Sequence, residues 1–169
     1  MPLTPQQQYQ LRLKNEYEAI RLLPRNDIYT IVPTAGQRTP YVTSYDVTFN
    51  IPTIVNGNGR RQERTSVRVI LPENFPVSEP HAFVIAGSIP FHVNWYTAGG
   101  LCNGNFWNPS RWLWEYINFI GEVLQFKPSR INVNSPANRD AIPYYTSHKS
   151  SFPTDHRNMP VPRKGIRIL

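Results

Sequence analysis

Cysteine is nearly missing from this chain, with one residue, Cys102, in 169. A lone cysteine excludes an internal disulfide and cannot by itself make a structural zinc site. With no disulfide framework, the simplest compartment is a reducing cytoplasm. Long apolar runs are missing too. None approaches the ~18 residues that a membrane-spanning helix requires, so no membrane association is expected. The opening MPLTPQQQ has neither the charged nor the apolar region of a secretory signal. Lysine is scarce: Lys14, Lys127, Lys149 and Lys164 are four of 18 cationic residues, and the other 14 are arginine. Genomic base composition is one explanation for that bias.

Apolar side chains make up 40% of the residues and aromatic rings 12%, enough for a real core and too much for a disordered chain. The net charge of +7 suggests nucleic acid until it is located. Five basic residues and one acid lie between His148 and Leu169, so +4 belongs to the end of the chain and +3 to the first 147 residues. A basic terminal stretch is ordinarily a solvated tail. Nucleic-acid binding therefore ranks last among the readings.

The periodicity predicts a sequence of elements. Thr4, Pro5 and Gln7 form a helix start with a Thr-x-x-Gln capping box, and Tyr9, Leu13, Tyr17, Ile20 and Leu23 give that helix one apolar face. Arg12, Lys14 and Arg21 fall off that face and are expected in solvent. From Asp27 the period becomes two. Asp27–Val32, Tyr45–Ile51, Ser66–Leu71 and His81–Ala86 read as strands, with Asn56–Gly59 as a hairpin signal. Prolines 72, 76 and 80 exclude a strand between the last two. Residues 87–109 form a long loop, which in a compact domain is uncommon and often functional. Asn108-Pro109 reads as the cap of a second helix with Leu113, Tyr116, Ile117, Ile120, Val123 and Leu124 buried. Ser135-Pro136 opens a third that Pro143 breaks or kinks. The order is that of an α+β domain over residues 1–150, followed by a Pro-rich basic tail at 151–169.

Within the long loop, FHVNWYTAGGLCNGNFWNP, His92 and Asn94 precede Cys102 by ten and eight residues. Gly99-Gly100-Leu101 comes just before the cysteine, and Trp107-Asn108-Pro109 just after it. This arrangement resembles the ubiquitin-conjugating enzymes, which carry His-Pro-Asn, then Gly-x-Ile-Cys at the same His-to-Cys spacing, then Trp-x-Pro. Phe75-Pro76 with Pro80 is similar to the family's proline segment, and Ser135–Ala141 to the run that opens its next helix. The resemblance spans roughly residues 5–148. It implies an N-terminal helix, a four-stranded antiparallel meander, a long active-site loop and two C-terminal helices. It also implies that Cys102 is a nucleophile accepting a ubiquitin-like protein as a thioester and passing it to an amine. A thiolate is both a good nucleophile and a good leaving group, which suits such relay chemistry.

By the same resemblance Asn94 stabilises the oxyanion or supports the loop, and His92 is a structural loop residue. The family offers basic residues of its first helix to the activating enzyme, here Arg12, Lys14 and Arg21, and its two proline loops to a ligase, here near Val77 and Pro109. The implied partners are a ubiquitin-like modifier, an activating enzyme and a ligase. No metal or organic cofactor is implied, since ATP is consumed by the activating enzyme. Few lysines also suit a thioester that should not modify its own carrier. Val93 stands where the family has its central proline, which predicts a less rigid loop. Asn103 stands where an apolar residue is usual, and residues 129–138 hold no carboxylate, leaving only Asp140. These departures suggest a divergent member, such as the conjugating-like proteins of bacterial ubiquitin-like operons, with antiviral defence as an implied role. Two other readings stand beside this one: a non-catalytic fold variant that binds a ubiquitin-like protein, and a cysteine hydrolase using His92.

Overall fold

A computed structural model of the chain describes residues 1–163. Lys164 and Arg167 of the basic tail lie outside the described residues. Helix α1 (Pro5–Arg21) starts as its sequence predicts. The Thr4 side chain accepts from the Gln7 N–H at 3.2 Å, and the Gln7 side chain accepts from the Thr4 N–H at 2.9 Å. Its inward face buries Leu13 and Ala19, and also Glu16, which is completely enclosed.

Strands β1 (Tyr29–Pro33), β2 (Ser44–Phe49), β5 (Thr65–Ile70) and β6 (His81–Ala86) form one antiparallel sheet in the order β1-β2-β5-β6. Alternation decides its two faces. Tyr45, Val47 and Phe49 point inward with their cross-strand partners Val69, Val67 and Thr65, while Asp46 and Arg68 pair on the outside at 2.7 and 3.0 Å. The Asn56–Gly59 turn does not join β2 to β5 directly. It closes a separate two-residue ladder, β3 (Thr53–Ile54) with β4 (Arg61–Gln62), an excursion from the meander. The turn is local chemistry: the Asn56 side-chain oxygen accepts from the N–H groups of Asn58 and Arg60, and Gly59 sits at φ 78°.

Helix α2 (Leu113–Leu124) lays Leu113, Tyr116, Ile117, Ile120, Val123 and Leu124 into one buried cluster with the inward residues of β2 and β5. It begins four residues later than Asn108 suggests. Asn108–Arg111 is a turn, and the Glu115 side chain caps the helix by accepting from the Trp112 N–H at 2.7 Å. No helix opens at Ser135-Pro136 either. A 3-10 turn at Pro128–Arg130 and an irregular stretch lead to α3 (Ala141–Ser147). Pro143 does not break α3, because it stands in the first turn, where an N–H has no intrahelical partner to lose.

Beyond the boundary read at 150, the chain does not leave the domain as a solvated tail. Phe152 stacks on Phe126 and Tyr145 at 4.7 and 5.5 Å. The Thr154 N–H donates to Gln125 O, and Asn118 donates to Pro160 O at 2.7 Å. Arg157 clasps Asp155 and the Asn50 carbonyl, so the first part of the basic stretch is tied down. Phe152→Ala is expected to lower stability by about 2 kcal/mol, below the ~3–5 of a fully buried ring. Urea unfolding checks this, and an unchanged midpoint would mean the segment is not packed in solution.

Candidate functional site

After β6 the long loop turns out to be a small hairpin laid along that strand. Trp95 and Leu101 bridge each other, the Tyr96 N–H donates to Gly100 O, and the Gly99 N–H returns to Tyr96 O at 2.9 Å. The Leu101 N–H donates to Ala82 O and the Val84 N–H to Gly99 O, so the hairpin extends the sheet edge. Gly99 makes the turn at φ 104°, a conformation side chains disfavour. The Cys102 N–H donates to Asn94 O at 2.8 Å, fixing the cysteine directly opposite the His-Val-Asn run. Val93 is buried in this loop, and its carbonyl accepts from the N–H groups of Ala137 and Asn138.

His92 is fully enclosed, with its ring 4.4 Å from Phe126 and its Nδ1 accepting from the Asn94 N–H at 2.9 Å. It makes no hydrogen bond to Cys102 among the described residues. Burial drives its pKa down to about 3. The ring is therefore neutral at ordinary pH, and it bonds the loop backbone rather than the thiol. A histidine whose folded pKa lies below its unfolded value of about 6.5 gives full stability above pH 6.5 and loses it as pH falls toward 3. The advantage of wild type over His92→Gln is expected to shrink by about 2 kcal/mol between pH 7 and pH 5. Urea titrations of both proteins check it, and every other titrating group cancels in the difference.

The Asn94 side chain is also engaged. Its Nδ2 donates to Arg130 O at 2.6 Å and its Oδ1 accepts from the Asn132 N–H at 3.2 Å, which binds the hairpin to the 3-10 turn after α2. A primary amide carries two N–H bonds, and one remains. Cys102 itself is half-buried and lines a cleft of about 1060 Å³ together with Asn94, Tyr96, Glu79, Arg111 and Arg130. Four of these residues, Tyr96, Glu79, Arg111 and Arg130, were not picked out from sequence. Tyr96 lines the cleft with Cys102, and its interaction with that thiol pushes the Tyr96 pKa above its usual value. Glu79 arrives from the proline segment before β6. It is brought there by Asn103, which donates from Nδ2 to Pro80 O at 2.9 Å while its Oδ1 accepts from the Tyr116 hydroxyl at 2.7 Å. Polar Asn103 thus replaces apolar packing with a strut. No sequence spacing links residues 79 and 102. Asp140, the acid nearest in the predicted pattern, is exposed at the start of α3 and does not line the cleft.

The cleft's two cations each pair with a carboxylate. Arg111 pairs with Glu115 at 3.2 Å and lies over the Phe106 ring, and Arg130 pairs with Glu122. No group of three or more His, Cys, Asp or Glu side chains suited to a metal ion occurs among the described residues. Nor is any helix among them long and apolar enough to cross a membrane.

On α1, Lys14 and Arg21 are exposed as expected, Arg21 beside Glu18 at 3.5 Å. Arg12 is not. It binds Glu16, donates to the carbonyls of Pro109 and Arg111, and lies over the rings of Phe75 and Trp112. Its long side chain reaches across to the loop before α2, something helical spacing does not reveal. Val77 (76% exposed) and Pro109 are both open to solvent, and their loops are joined where Trp107 Nε1 donates to Pro76 O at 3.0 Å.

No family model matches the sequence, and no curated protein matches it. Solved structures do match the fold. One titled ubiquitin conjugating enzyme E2 from Plasmodium falciparum superposes at a TM-score of 0.51 with 20% identity, over 67% of this chain and 95% of that one. A second, titled a putative ubiquitin conjugating enzyme from Plasmodium yoelii, superposes at 0.58 with 17% identity, over 85% and 87%. The chain has the ubiquitin-conjugating fold: N-terminal helix, four-stranded antiparallel sheet and C-terminal helices.

Proposed function

We propose that this protein is a ubiquitin-conjugating-type acyltransferase acting in the cytoplasm. In this reading Cys102 takes a ubiquitin-like protein from the thioester of an activating enzyme by transthiolation and yields it to an amine. The observation that carries the reading is the only thiol of the chain, half-buried in the lining of the cleft in a fold shared with conjugating enzymes. The thiolate attacks the incoming thioester carbon, the partner's sulfur leaves, and the acyl group now rests on Cys102. Attack by an amine passes charge to the thioester oxygen, which needs a preorganised donor, and the remaining N–H of Asn94 supplies one in this reading. Removing such a donor typically slows acyl transfer on the order of 10²–10³-fold. Lys14, Arg21, Val77 and Pro109 remain the exposed residues offered to an activating enzyme and a ligase. Cognate partners would be encoded beside this protein's gene if it belongs to a bacterial ubiquitin-like operon.

The test is a mixture of activating enzyme, modifier, ATP and this protein, resolved without reductant. An adduct that reductant removes is expected. If no adduct forms with the cognate partners while the protein binds the modifier with Cys102→Ala as tightly as without it, the non-catalytic reading replaces this one.

A further inference from the structure

The half-buried cations Arg12, Arg68, Arg111, Arg130 and Arg157 each pair with a carboxylate. The β3–β4 excursion differs. Arg60, Arg61 and Arg64 are all exposed, and none of them forms an ion pair among the described residues. Arg60 donates to the Ser88 hydroxyl at 3.4 Å and Arg64 to the amide oxygen of Asn50 at 3.1 Å, neutral partners that leave both charges unanswered. Glu63 is the one acid in that stretch. Rings stand beside the ribbon. A Cβ at Gly59 would lie 2.8 Å from the Tyr144 hydroxyl, so α3 meets the turn this closely because that residue is glycine. Tyr144 in turn stacks on His148, with centroids 4.2 Å apart and planes 18° from parallel. The His148 Nδ1 lies 2.8 Å from Tyr144 O, which holds the ring in place. His148 is exposed, so a ring covered on one side offers its other face to solvent, and exposed Lys149 follows it. None of these residues lines the Cys102 cleft.

We propose that this face binds single-stranded nucleic acid, with phosphates on Arg60, Arg61 and Arg64 and a base stacked on His148. Guanidinium forks match phosphate oxygens two at a time, and they give up less hydration than ammonium groups do. A flat ring beside such a charged track receives a base of any sequence, because every base has a π-face. An unpaired strand alone supplies both features at once, since the bases of a duplex are stacked on one another. An acidic protein would answer the arginines and leave the open ring unused. The sequence puts nucleic acid last because its excess charge lies near the terminus; the fold adds a second concentration of charge at the ribbon and sets a ring against it. The surface is separate from the cleft and holds whether or not Cys102 forms a thioester.

Fluorescence anisotropy of a labelled oligothymidylate of about 20 nucleotides, titrated with the full chain at several salt concentrations, tests this. Each phosphate contact to a single strand adds about −0.7 to the slope of log affinity against log salt, so the three arginines account for about −2. Replacing all three, as Arg60→Gln with Arg61→Gln and Arg64→Gln, is expected to flatten the slope by that amount and to weaken binding about tenfold or more at low salt. A control that removes the same charge from other exposed positions, Lys14→Gln with Arg38→Gln and Arg163→Gln, is expected to change affinity less than about threefold. His148→Ala is expected to weaken binding about tenfold with the slope unchanged, and His148→Phe, which keeps a ring, to hold the wild-type affinity. Equal losses in the two triple variants would show attraction to net charge alone and overturn the proposal. It is overturned equally if oligothymidylate does not bind, or if binding ignores the ribbon arginines. A polyglutamate peptide that binds the ribbon as tightly as oligothymidylate, with His148→Ala indifferent to both, would assign the surface to an acidic protein instead.

Discussion

Cys102→Ser is expected to turn a transient adduct into a durable one. With activating enzyme, modifier and ATP, the serine variant forms an oxygen ester that withstands reductant, where wild type forms one that reductant removes. The cause is the acyl carbon's partner atom. Sulfur overlaps weakly with the carbonyl and leaves readily as a thiolate, whereas an alkoxide is a far poorer leaving group. Charging of the serine variant is slow for the same reason, since a hydroxyl is a weak nucleophile at neutral pH. Cys102→Ala is expected to abolish the adduct and to reduce acyl transfer on the order of 10⁶-fold, the scale found when a covalent nucleophile is deleted from an acyl-transfer enzyme. Electrophoresis with and without reductant, followed by mass spectrometry, reads all three proteins. An adduct on Cys102→Ala would place the acyl group elsewhere and end the proposed mechanism.

Glu16→Ala is expected to destabilise the fold by about 3 kcal/mol, the low end of the ~3–5 seen when one partner of a buried ion pair is removed. Glu16 has no solvent exposure, and its carboxylate joins the two large helices. One oxygen accepts from Arg12 Nε at 2.6 Å, and the other accepts from the N–H of Leu113, the first residue of α2, at 2.8 Å. There it also faces the positive end of the α2 dipole. Truncation leaves the Leu113 N–H buried without an acceptor, while Arg12 keeps the carbonyls of Pro109 and Arg111, which holds the cost down. Burial pushes the Glu16 carboxyl up to about 7 against the downward pull of Arg12 and of the Leu113 N–H. A carboxyl raised in the folded state gives its full contribution below the unfolded pKa and loses it as pH climbs through about 7. Wild type is therefore expected to gain about 2 kcal/mol on Glu16→Gln between pH 8 and pH 5. Urea unfolding at the two pH values decides it, and a difference that runs the other way would show a carboxylate stabilised, not opposed, by its surroundings.

Much of this was legible in the chain itself. The capping box at Thr4–Gln7, the alternation of Tyr45, Val47 and Phe49 and the stripe from Leu113 to Leu124 are local patterns, and the structure repeats them. Misreadings fell where a local signal admitted a second outcome or a distant segment supplied the contacts. Asn108 looks like a cap, but Glu115 satisfies the helix start. Pro143 looks like a break, but its missing N–H falls where none is needed. The 151–163 stretch has no period because it is held by rings and carbonyls of other segments, which no spacing encodes.

The same division runs through the cleft. The order His92, Asn94, Cys102 and the glycines between them are short-range features, and the sequence by itself placed the one cysteine in a long loop of an α+β domain. Only the tertiary structure decided what surrounds it. It buried His92 without a hydrogen bond to the thiol, turned Asn94 toward Arg130 and Asn132, drew Arg12 out of solvent, and brought Glu79 into the lining of the cleft through the Asn103–Pro80 bond. A hydrogen-bond pattern within a few residues is readable from residue type and spacing. Charge pairing and the meeting of remote side chains depend on how the sheet and helices close on one another, and that is settled only when the core packs.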